Sequence, residues 1–246
     1  MLARRLLARG MLVGIFAGLL AVGFAEIFGE SQVQHAIDFE SAMASGAGEA
    51  PEPDLVSRAM QRSFGLLTAG VLDGVGIGGL FALVFAATYG RIGKISPRNL
   101  AALLALAGFV AVILVPGLKY PASPPSVGSP DTIGSRTALC FEMIVVSVAA
   151  MVFAVLAAKR LSSRLGGWNA ALVSAVVFVA VIAVVQFALP DVNEVPEHFP
   201  AVVLWRFRVA ALGMQVVLWG TLGLAFGALA ERLINPAPAA RVLSYH

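Results

Sequence analysis

One cysteine and three histidines are all that this 246-residue chain offers in thiol or imidazole chemistry. A lone Cys140 excludes an internal disulfide framework. It reads as a small packing residue near the end of an apolar run. Charge is also scarce, at 13% of residues, against about 25% in an ordinary soluble domain. No HExxH, GxSxG, P-loop or DxxD prenyl-diphosphate pattern occurs, so nothing in the sequence points to an enzyme. The glycine-rich stretch GVGIGG at 74–79 has neither the lysine nor the preceding strand of a phosphate loop. The net charge of +3 comes from short basic clusters beside apolar runs and gives no nucleic-acid footprint.

Apolar sequence is what the chain has in abundance. Hydrophobic residues make up 59%, and the mean hydropathy is +0.88. Six runs, at about 10–28, 64–88, 99–117, 138–158, 168–189 and 203–229, are each near the ~20 residues needed to cross a bilayer. Backbone polar groups in lipid must be paired within the segment, so these runs read as helices. The alternating ~10-residue strands of a membrane barrel are absent. The fold class expected is all-α, a polytopic transmembrane bundle forming one integral membrane domain over 1–246. It has six spans, or five if the first run were a cleaved signal. That run is long and lacks a clean A-x-A site, which favours a retained helix.

Orientation follows from the lysines and arginines. With both termini in the cytoplasm, eleven basic residues fall inside and six outside: Arg58, Arg62, Lys119, Arg136, Arg206 and Arg208. The acids sort oppositely, with eleven of fourteen outside, and insertion does not account for them. An acidic outer face would concentrate divalent cations. The outer connections 118–137 and 190–202 carry four and three prolines, so they read as shaped loops rather than flexible linkers.

Glycines recur every four residues in three runs: Gly10, Gly14 and Gly18; Gly70, Gly74 and Gly78; Gly223 and Gly227. Such stripes let helix backbones approach closely. Packing of the first helix on the second is the simplest use of them.

Two acids lie within runs, Asp73 near mid-depth and Glu142 in the outer third. An acid at the bilayer centre costs about 3 kcal/mol, so it is expected to face a partner or a wet path. The candidate metal-handling residues are Asp73, Glu142, Glu26, His35 and His198. The alternative is a structural ion pair inside the bundle, with Arg136, Arg206 or Arg208 as candidate partners for these two acids. Imidazole with carboxylate suits Co, Ni or Zn better than Mg, but neither His35 nor His198 has the spacing of a closed site. Met143, Met151 and Met214 read as packing.

The outer segments LVPGLKYPASPPSVGSPDTIGSRT (114–137) and LPDVNEVPEHFPAVVLWRFRVAALGMQVVLW (189–219) resemble those of the CbtA family. These are bacterial membrane proteins proposed as subunits of a cobalt transporter. The resemblance extends to the segment at 29–40, the R-x2-QR-x-FG entry at 58–65 and the WN start of the fifth run. It implies a multi-pass protein of the bacterial inner membrane with cobalt or a related divalent cation as cargo. It also implies a small single-span, histidine-bearing partner, CbtB. No permanently bound cofactor and no nucleic-acid partner are expected. The competing reading is a non-transporting scaffold or assembly subunit whose intramembrane acids are ion-paired.

Overall fold

The structure, a computed structural model, describes residues 2–46, 48 and 57–235. Among these the elements are helical, with no strand. Six helices organise the chain: α1 (Leu2–Phe28), α2 (Glu30–Gly46), α3 (Arg58–Thr88), α4 (Pro97–Lys119), α5 (Ile133–Ala188) and α6 (Ala201–Ile234). All but α2 are long and apolar enough to cross a membrane.

Five such helices hold the six runs because α5 carries two of them. Its 56 residues would stretch about 84 Å at 1.5 Å per residue, nearly three times the hydrocarbon thickness. The helix breaks at Gly166, whose φ of 77° and ψ of 159° are not helical. That left-handed φ suits a residue without Cβ. The two arms fold back on each other: Met143 and Ala150 on the first pack with Phe178, Ile182 and Val185 on the second. The expected inner connection at 159–167 is therefore helical almost to its end. Helix α2 lies outside the six apolar runs, and of its residues Gln32 and Ala36 are buried.

The chain divides into two compact units, Met1–Glu30 with Glu52–Leu106 and Gly213–His246, and Ser31–Pro51 with Ala107–Leu212. In the first, α1 and α3 run antiparallel through their glycine stripes. Gly10 faces Gly78, Gly14 faces Gly74 and Gly18 faces Gly70, each so close that a Cβ would meet the opposite carbonyl oxygen. Gly223 and Gly227 of α6 sit on Ala105 and Ala101 of α4 in the same way. Phe226 closes this core between Phe81 and Phe85, with ring centroids 5.3 and 5.1 Å away, both edge-on. Phe85 and Phe226 are fully buried. Arg98 at the start of α4 pairs with Glu231 near the end of α6 at 2.5 Å, and Arg9 donates to the Leu229 carbonyl at 2.6 Å.

The second unit contains a π-turn, Phe109–Leu114, just before Pro116. There the Val115 N–H bonds the Val110 carbonyl, five residues back. Continuing that register would pair residue 116 with Ala111, but proline has no N–H. The Ser147 hydroxyl of α5 supplies the missing donor to the Ala111 carbonyl. Gln186 similarly donates to the Val115 carbonyl at 3.0 Å.

Candidate functional site

The two acids within the apolar runs, Asp73 and Glu142, are both exposed side chains. Asp73 precedes Gly74, and one helical residue is a turn of ~100°, which rotates the carboxylate off the α1 contact. Its side chain is exposed. Glu142 precedes the fully buried Met143 on α5 and is exposed in turn. Among the described residues neither acid has an ion pair or hydrogen bond. Glu142 lies close enough to the Tyr120 hydroxyl to contribute to its raised pKa. Burial is the main cause of that rise, Lys119 opposes it, and Asp191 adds to it ahead of Glu142.

The basic residues at the helix ends pair with acids at helix ends or in the connecting loops. Arg62 pairs with Glu26 at 3.4 Å and Arg58 with Glu30 at 2.6 Å. Lys119 pairs with Asp191, and Arg136 with Glu194 at 3.4 Å. Arg136 thus serves Glu194 rather than Glu142. Arg208 donates from Nε to the Ala122 carbonyl at 3.3 Å, and Arg206 is exposed. Four of the outer acids are neutralised pairwise in this way, and only three of the four pairs use an arginine. This pairing accounts for part of the outward sorting of acids that insertion does not explain.

Glu194 is the centre of a clamp between the two proline-rich loops. Its Oε2 accepts from the Ser129 N–H and the Thr132 hydroxyl, both at 2.8 Å. Those two bonds, reinforced by Arg136, hold its carboxyl below the usual range, against a smaller effect of burial. Arg136 also donates from Nη2 to the Ser129 carbonyl at 3.2 Å. Tyr120 donates to the Pro190 carbonyl at 2.9 Å and ties the same loops again. Between them lies a cleft of about 520 Å³, lined among others by Tyr120, Arg136, Cys140, Asn193, Glu194 and Arg208.

The two loops share a turn. The Val127 N–H returns to the Pro124 carbonyl and the Phe199 N–H to the Pro196 carbonyl, each at 3.2 Å. The third residue of each turn, Ser126 (φ 64°) or His198 (φ 68°), is left-handed. A positive φ at the third position is the mark of a type II turn. Val127 and Phe199 are buried in one cluster with Ala36 of α2, where Phe39 meets Phe199 edge-on at 5.1 Å. His198 and His35 are the exposed neighbours of Phe199 and Ala36.

No group of three or more His, Cys, Asp or Glu side chains converges for a metal among the described residues. Met143 is fully buried in the second unit and Met214 packs against the core of the first. Gln215, a polar group of the last run, leaves its Oε1 buried and without a hydrogen bond among the described residues. Sequence reading did not single out Ser147 or the Glu194 clamp. Pro116 inside an apolar run was the available signal for the former. The latter joins residues far apart in sequence and left none.

No curated protein and no solved structure matches the chain. A family model described as "Probable cobalt transporter subunit (CbtA)" matches residues 3–231. The long apolar helices agree with that description, and the matched span covers both proline-rich loops. This multi-pass membrane protein belongs to the CbtA family, the probable cobalt transporter subunits.

Proposed function

We propose that the chain is the membrane-embedded subunit of an uptake system for cobalt or a related divalent cation. The cation enters from the face that carries the proline-rich loops and is handled within the bilayer by Glu142 and Asp73. One observation supports this reading above the scaffold alternative. The entrance arginines spend themselves on outer acids, whereas Asp73 and Glu142 keep unpaired carboxylates among the described residues. An ionised carboxylate left unpaired in a bilayer costs about 3 kcal/mol, and a passing dication offsets that cost. In this reading both termini face the cytoplasm of an inner membrane, which the lysine and arginine distribution supports.

A transported cation needs several oxygen, nitrogen or sulfur ligands, and no group of three candidate side chains converges among the described residues. A second subunit completes the coordination, in keeping with the family's description as a subunit. Any ATP hydrolysis that drives uptake comes from another subunit, since the sequence has no nucleotide-binding motif. Cobalt accumulation in cells expressing this chain, with and without its genomic neighbour, tests the reading. Accumulation that rises only with the pair supports a transporting subunit. Accumulation that is unchanged from empty cells in every combination overturns it.

A further inference from the structure

We propose that the cleft in the second unit is an oxyanion site, binding a phosphate or carboxylate group on Arg208 and Arg136. This goes beyond the cation reading and stands independently of it. The charge at the cleft argues against a bare metal ion. Two guanidinium groups line it against one carboxylate, Glu194. The Oε2 of that carboxylate already takes the Ser129 N–H, the Thr132 hydroxyl and the Arg136 ion pair. The nearby Asp191 is matched by Lys119.

The guanidinium groups retain donors. Arg208 uses Nε on the Ala122 carbonyl, and its two terminal nitrogens have no protein acceptor among the described residues. Arg136 uses Nη2 on the Ser129 carbonyl, while its Nε faces Glu194 at 3.4 Å as an ion pair without a hydrogen bond among the described residues, which leaves Nη1. That nitrogen lies against Gly128, where a Cβ would collide with the guanidinium. Gly128 also has a φ of 110°. The glycine therefore leaves the room in which Arg136 is held. Paired arginine forks match the oxygens of phosphate and carboxylate. Tyr120 and Asn193 add neutral polar groups to the lining.

The volume of about 520 Å³ falls in the range of small-ligand sites, roughly 300–1,000 Å³. Phe141 and Ile144 give the cleft an apolar wall. Arg208 lies seven residues into α6, about 10 Å along the helix, so the site sits near the level of lipid headgroups. The oxyanion is therefore either the headgroup of an anionic phospholipid or a free oxyanion from solution.

The full chain, purified in mild detergent, distinguishes these sources. Native mass spectrometry reads retention of phosphatidylglycerol against phosphatidylcholine. Thermal melting reads inorganic phosphate against chloride at equal ionic strength. Selective retention of phosphatidylglycerol alone identifies a lipid headgroup. Stabilisation by phosphate as well identifies a free oxyanion. Either result supports the site, provided that Arg208→Gln weakens binding roughly tenfold or more and Arg206→Gln leaves it unchanged. Arg208→Lys keeps the charge but loses the fork, and it weakens binding less than Arg208→Gln. If Arg208→Gln fails to fold, the wild-type selectivity and the Arg208→Lys and Arg206→Gln variants decide. No selectivity in the wild type, or equal losses at Arg206 and Arg208, would overturn the proposal.

Discussion

Gly14 and Gly74 oppose each other so closely that a methyl group on either would run into the other's backbone. Without a hydrophobic drive between helices in lipid, such contact is the main source of packing energy for α1 on α3. Gly14→Ala or Gly74→Ala should therefore destabilise the fold by about 1–3 kcal/mol, the usual cost of overpacking. Gly76, two residues along the same helix, has open space at its Cβ position. Gly76→Ala should be close to neutral. Thermal melts of the three variants in detergent test the contrast, and equal losses would show that the stripe does not govern packing.

Ser147 replaces a donor that Pro116 removes. Ser147→Ala should leave the Ala111 carbonyl unsatisfied and cost about 1–3 kcal/mol. Pro116→Ala restores the backbone N–H, so Ser147→Ala should cost less in that background. A double-mutant cycle on unfolding free energy measures the coupling. Purely additive losses would refute the substitution of hydroxyl for amide.

Glu194 gives the outer loops a pH dependence. Its carboxyl is held below the ordinary value of 4.5 by the Ser129 and Thr132 bonds and by Arg136. A depressed carboxyl contributes stability above its unfolded value and loses it as pH falls through the folded one. The clamp should hold at neutral pH and loosen only below the ordinary glutamate range. Hydrogen exchange at the Ser129 amide, followed against pH, reports this. Glu194→Gln should flatten that profile, and an unchanged profile would assign the dependence to another group.

His198 occupies a left-handed turn with an exposed side chain. Asparagine tolerates that backbone, whereas a β-branched residue does not. His198→Asn should keep the fold, while His198→Val should lose about 1–2 kcal/mol. Retained cobalt accumulation in His198→Asn would mean that the residue serves the turn. Lost accumulation with an intact fold would mark the imidazole as a metal ligand.

Much of this was legible in the sequence, and the exceptions have physical reasons. The helical spans and the α1–α3 contact could be read because run length and four-residue glycine spacing each have few physical uses. The partners of the arginines could not, because Arg136 and Glu194 are brought together only by folding and charge spacing carries no information about that. Helix α2 was hidden by its polar, small-residue composition, since its packing rests on Ala36 and Phe39 against loops distant in sequence. The turn at His198 was hidden because a positive φ on a residue other than glycine has no compositional mark.

The central claim is that the unpaired acids within the bilayer carry the cation. Cobalt accumulation at equal expression of wild type, Asp73→Asn and Glu142→Gln, each with the partner subunit, tests it most directly. Both substitutions remove charge with little change in volume. The account predicts a loss of roughly tenfold or more for each variant, equivalent to about 1.4 kcal/mol. Wild-type accumulation in both would contradict it.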